Sequence, residues 1–148
     1  MTNVLFLCTG NSARSIMAES YLNHIGGDWA GYSAGSNPTG TPHPMALQTL
    51  AAHGVTPQDG DGASPRSKSW NDFSRPPAPV MDVVITVCDN AAAEVCPIWP
   101  TRPETPPPRK LHWSFPDPAA AEGSEEDRLA TFSQVFANIR SKIDELTG

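Results

Sequence analysis

The chain has 148 residues, near the commonest domain size, with ten basic against sixteen acidic side chains and a net charge of −6. This suits a single domain over 1–148 and argues against nucleic acid, acidic membrane surfaces or other polyanions as partners. The apolar start lacks a basic n-region and breaks at Thr9-Gly-Asn, against a signal peptide or membrane span, so a cytoplasmic monomer is expected.

Residues 3–7, Asn-Val-Leu-Phe-Leu, form a short apolar run ending at Cys8, which predicts a buried parallel strand entering a polar turn. From Arg14 to about Ile25, the positions Ile16, Met17, Ala18, Tyr21, Leu22 and Ile25 keep helical spacing, and Gly26-Gly27 supplies the stop. Tyr32-Ser-Ala-Gly is a brief second strand. A helix from about Pro44 to His53 carries Met45, Leu47, Leu50 and Ala51 and is ended by Gly54. Residues 58–69 are turn-rich. Val80-Met-Asp-Val-Val-Ile-Thr-Val is the clearest strand and runs into Cys88. Eight of the sixteen prolines lie from Pro97 to Pro118, which excludes regular helix there. Lys110-Leu-His-Trp reads as a fourth strand. Ser124-Glu-Glu-Asp caps a last helix with an apolar face of Leu129, Phe132, Val135, Phe136, Ile139, Ile143 and Leu146. Strands alternating with helices predict a doubly wound α/β fold, whose ligands bind outside the carboxyl ends of the strands. Cys8 and Cys88 both fall at that edge.

Cys8-Thr-Gly-Asn-Ser-Ala-Arg-Ser joins a strand to a helix N-terminus. Thr9, Gly10, Asn11, Ser12, Ala13, Arg14 and Ser15 can therefore turn backbone N–H groups inward beside a helix dipole and bind a tetrahedral oxyanion. Arg14 offers a planar fork for two oxygens. The same field is expected to lower the pKa of Cys8 and make it a thiolate nucleophile. Asn11 and Ser12 can bond across the loop or to the thiolate. Set against this is the plainer picture of a buried apolar cysteine and a surface arginine, which the glycine, the polar loop and the helix start in register make the weaker account.

Cys8-x5-Arg14-Ser15 close to the N-terminus, together with Tyr32-Ser-Ala-Gly and Asp117-Pro118, resembles low-molecular-weight tyrosine phosphatases and their arsenate reductase relatives over most of the chain. The resemblance implies a four-stranded parallel sheet with helices on both faces, and gives Asp117 the role of general acid. Asp-Pro is also an ordinary turn dipeptide. Beside that pair the chain has Ala119-Ala-Ala in place of the tyrosines usual in the phosphatases. The stretch from Thr86 through Cys88 to Cys96, with His112-Trp-Ser-Phe-Pro-Asp-Pro-Ala after it, is similar to the redox segment of thioredoxin-coupled arsenate reductases.

That resemblance implies a relay. Cys8 attacks arsenate, Cys88 attacks the Cys8 sulfur and releases arsenite, and Cys96 attacks Cys88 to leave a disulfide for thioredoxin, with glutaredoxin or glutathione as other reductants. Seven residues separate Cys88 and Cys96, a longer spacing than is usual in the family. Ala91-Ala-Ala-Glu-Val favours helix, and eight steps of helical rise span roughly 12 Å, so a disulfide requires the segment to unwind or fold over. No bound cofactor is implied. Two other accounts stay open: a phosphatase whose extra cysteines protect Cys8 from overoxidation, and a non-catalytic oxyanion or redox sensor.

Ser67-Lys-Ser-Trp-Asn-Asp-Phe resembles a variant of part of the reductase family, in which Lys68, with Glu19 as a partner, supplies near Asn11 the charge other members take from potassium; an exposed lysine on a short helix is the alternative. Zinc on Cys88, Cys96 and His112 is disfavoured, because no C-x2-C pair or fourth ligand accompanies them. His24, His43 and His53 read as surface or core-edge residues, and Trp70, Trp99 and Trp113 as core or active-site rim.

Overall fold

The computed structural model describes residues 2–74, 78–88 and 107–148. Strand β1 (Thr2–Leu7) leads into helix α1 (Arg14–Ile25), followed by β2 (Trp29–Ala34), α2 (Pro44–Ala52), a 3-10 turn (Trp70–Phe73), β3 (Val83–Thr86), β4 (Arg109–His112), a second 3-10 turn (Pro118–Ala120) and α3 (Glu125–Thr147). The four strands form one sheet in the order β2-β1-β3-β4, every neighbouring pair parallel. This is the sheet the motifs implied. The chain leaves β1 toward β2 on one side and returns as β3 on the other, so the carboxyl ends of β1 and β3 border a topological switch point.

Strand alternation sends Val4, Phe6, Val83 and Ile85 to one face and Leu5, Leu7 and Val84 to the other. The first face packs against apolar residues of α1, α2 and α3: Met17, Leu22, Leu50, Phe132, Phe136 and Ile139, all wholly buried. The second face is covered by Trp70, Phe73 and Met81 of the segment between α2 and β3. Trp70 is thus core. Trp113 packs beside the first core, 6.3 Å from Phe6 between ring centroids.

Several bounds differ from the sequence reading for local reasons. β2 begins at Trp29, three residues earlier than expected, because Thr2 pairs with Trp29 although Asp28-Trp-Ala-Gly has no apolar alternation. β3 is shorter than residues 80–87: ahead of Val83 one backbone bond remains, Asp82 N–H to the Asn3 carbonyl (2.8 Å), joined by side-chain bonds from Asn3 N–H to the Asp82 carboxylate (2.8 Å) and from Asn3 Nδ2 to the Val80 carbonyl (3.0 Å). β4 lies one residue earlier than expected. α1 stops at Gly26, whose φ of 64° favours glycine and whose N–H reaches the Leu22 carbonyl. α3 opens with a full capping box, Ser124 and Asp127 each accepting the other's backbone N–H. Among the described residues no helix is long and apolar enough to cross a membrane. Cys96, the Ala91-Ala-Ala-Glu-Val segment and Trp99 lie outside the described residues.

Candidate active site

Residues 8–15 bridge β1 and α1 in a tight turn whose geometry is held from outside. Backbone N–H groups of Asn37, Thr39 and His43 donate to the carbonyls of Thr9 (3.0 Å), Gly10 (3.0 Å) and Ser12 (2.7 Å), and the Ser67 hydroxyl adds a bond to Gly10. Tying those carbonyls outward leaves the loop's N–H groups for the interior. Gly35 backs the turn so closely that a Cβ there would collide with the carbonyl oxygens of Cys8 and Thr9. α1 begins after Ala13 with no side-chain cap, so its first-turn N–H groups are not met by a capping side chain.

Inside the turn is a cavity of about 400 Å³ lined by Cys8, Thr9, Gly10, Ser12, Ala13, Arg14, Thr39, His43, Asp117 and Ala119. Cys8 and Cys88 are both buried and unbridged. They follow the adjacent strands β1 and β3, and Thr9 N–H donates to the Cys88 sulfur at 3.4 Å. Arg14 donates from one terminal nitrogen to the Phe115 carbonyl (2.9 Å) and sets the other 3.9 Å from the Asp117 carboxylate. Its Nε is buried with no hydrogen-bond partner. An oxyanion entering here meets a sulfur nucleophile, an aimed guanidinium and a carboxyl group at the rim, with Asp117 about half exposed.

The expected depression of the Cys8 pKa is not what the geometry produces. The Cys88 thiol bonding to it and burial together raise it, outweighing Arg14 and the Gly10 N–H, which lower it. The motif from Cys8 to Arg14 carries the arginine's pull but not the second thiol that a distant strand sets against the first.

Beneath the turn is a polar network that braces it. Asn11 is fully buried at φ 44°, a left-handed conformation that asparagine tolerates better than most residues. Its amide donates to Ser15 and Ser33 (both 2.9 Å) and its carbonyl oxygen accepts from Lys68 N–H (2.8 Å). Ser33 Oγ donates in turn to Glu19, and the Lys68 ammonium stands 3.9 Å from Glu19 while donating to the Arg66 carbonyl. So Lys68 is buried beside Asn11 and Glu19, rather than exposed on a helix; it precedes the 3-10 turn. Burial, more than any other cause, lifts the Glu19 carboxyl to about 8 against the pull of Lys68 and Ser33, and burial likewise lowers Lys68.

The structure thus gathers Cys8, Arg14, Asp117, Cys88 and the loop into one site, with Lys68 and Glu19 below. Two lining residues went unread in the sequence. Thr39 gave no motif. His43, expected at the surface or core edge, instead lines the cavity; its place before Pro44 at a helix start was the signal, since that is a capping position whose side chain turns back on the chain.

The model of the low molecular weight phosphotyrosine protein phosphatase family matches residues 3–147, and the chain belongs to that family. Within it the chain is similar to arsenate reductases, as the motifs indicated. The Bacillus licheniformis arsenate reductase is 37% identical over 142 residues, covering 95% of this chain and 91% of the relative. A solved arsenate reductase in its phosphate-binding state superposes with a TM-score of 0.72 at 26% identity, over 99% of this chain and 96% of that one. The Corynebacterium glutamicum thioredoxin-dependent arsenate reductase matches with a TM-score of 0.61 at 25% identity, over 99% of this chain and 62% of that one.

Proposed function

We propose that this protein is a cytoplasmic arsenate reductase of one domain, with Cys8 as nucleophile, Cys88 and Cys96 as its redox relay, and thioredoxin as the external reductant. The observation that carries the proposal is the seating of a second buried thiol, Cys88, against Cys8 beside the turn that opens α1. A phosphatase needs one thiol there; a two-electron reduction needs two.

The chemistry proceeds from the residues. Arsenate enters as a dianion, its oxygens taken by the loop N–H groups and by Arg14, whose unpartnered Nε is one donor. As the Cys8 sulfur attacks, its proton moves onto an oxygen of the bound arsenate. The Cys8 sulfur bonds to arsenic as one oxygen departs, and Asp117 at the rim supplies that oxygen's proton to give water. Cys88, giving up its proton to an arsenic-bound oxygen, then attacks the Cys8 sulfur: a sulfur–sulfur bond forms, the sulfur–arsenic bond breaks, and its electron pair stays on arsenic as arsenite leaves. Cys96 attacks the Cys88 sulfur, restoring Cys8 as thiolate. A thioredoxin dithiol reduces the Cys88–Cys96 disulfide, so one arsenate consumes one dithiol. Thioredoxin fits because a similar solved protein is a thioredoxin-dependent arsenate reductase, and the cytoplasm because it keeps thiols reduced.

The test is arsenate-dependent NADPH oxidation through thioredoxin reductase and thioredoxin, on wild type and on Cys8→Ser, Cys88→Ser and Cys96→Ser. Turnover in wild type and its loss in all three variants is the expected result. Hydrolysis of an aryl phosphate through Cys8 alone, with no arsenate-dependent turnover, would replace this reading with a phosphatase.

A further inference from the structure

His43 caps α2 and lines the oxyanion cavity at once. Its Nδ1 accepts the Met45 N–H at 3.1 Å. A ring nitrogen that accepts holds no proton, so the neutral ring carries its proton on Nε2. The ring is also clamped: His43 N–H is bonded to the Ser12 carbonyl, Pro44 follows, and the imidazole packs on Phe132 at 4.9 Å between centroids. Burial, then the nearby Arg128, lower its pKa against the opposing pull of Asp117, which keeps the ring neutral at pH 7. Of the residues lining the cavity, only Arg14 and His43 bring a side-chain N–H. Arg14 is spoken for by the oxygens nearest Cys8.

We propose that His43 is a further ligand of the bound oxyanion, a neutral imidazole donating its Nε2–H to an oxygen that the loop and Arg14 leave outermost. A pre-placed neutral donor strengthens anion binding without adding a second acid that would compete with Asp117 to protonate the departing oxygen. The helix cap fixes the tautomer, so one side chain starts α2 and reads the ligand. This inference rests on the oxyanion-site reading above but not on turnover.

The test uses inorganic phosphate on the full chain. Phosphate protection of Cys8 from iodoacetamide, read as alkylation of the Cys8 peptide by mass spectrometry, gives the binding midpoint. His43→Ser keeps a capping oxygen and removes the imidazole N–H; its midpoint should rise about tenfold, the usual loss for one hydrogen bond to a charged acceptor, with the melting temperature near wild type. A midpoint within about twofold of wild type overturns the inference. Should His43→Ser fold poorly, the wild-type protein decides: the His43 Nε2–H resonance shifts on adding phosphate but not chloride at equal ionic strength, and an unmoved resonance overturns it. Wild type that binds no phosphate sinks both this inference and the oxyanion site, whereas weakened phosphate binding in His43→Ser alongside an absence of arsenate reduction keeps His43 and removes only the reductase.

Discussion

The Cys88 thiol, by hydrogen-bonding to Cys8, pushes the Cys8 pKa up. Because it is the largest cause raising Cys8, Cys88→Ala should shift the pH profile of Cys8 alkylation to lower pH, by removing a hydrogen bond to the protonated form while leaving Arg14 in place. An unshifted profile would mean that burial alone holds the proton. Asn11 is the other residue on which the turn depends. Asn11→Ala removes three buried hydrogen bonds and leaves a non-glycine residue without its compensation at φ 44°, which should cost ~3 kcal/mol in urea unfolding. Both residues lie in a motif plain from the sequence. Their partners, Cys88, Ser33 and Lys68, lie far along the chain; the family resemblance pointed to Cys88 and Lys68, and no local pattern announces Ser33.

Among the elements, α1 and α3 were legible end to end, because each combines apolar spacing with its own stop or start signal: Gly26 for one, the Ser124 and Asp127 capping box for the other. Ser124→Ala should lower stability by about 1 kcal/mol, measured by thermal unfolding, without touching phosphate binding, since the cap is remote from the cavity. The strands were harder. β2 was read only from Tyr32 onward, since its first half pairs with β1 without an apolar pattern of its own. Its exit at Gly35 is where an element becomes part of the site. Gly35→Ala drives a methyl group against the Cys8 and Thr9 carbonyls, and should cost ~1–3 kcal/mol while weakening phosphate binding, which protection of Cys8 would reveal.

The molecule as a whole is organised around the buried Glu19, which ties α1 to β2 through Ser33 and to the segment after α2 through Lys68. Its carboxyl is lifted to about 8, so from roughly pH 4.5 to 8 the folded protein holds a proton that the unfolded chain has released. Stability present at low pH is then lost as pH rises through that window, and wild type should lose more between pH 5 and 8 than Glu19→Gln, by urea unfolding at each pH. Equal slopes would show that Lys68 keeps Glu19 ionised throughout. The turn from Cys8 to Arg14, the strand-end cysteines and the parallel α/β class could all be read from order along the chain, because each is a short run whose residue types suffice for its geometry; Asp117 was pointed to by the family resemblance alone. The raised Cys8 pKa and the place of His43 in the cavity could not: each depends on which distant segments the sheet order β2-β1-β3-β4 brings side by side, and contact across the fold, unlike periodicity, leaves no mark on neighbouring residues.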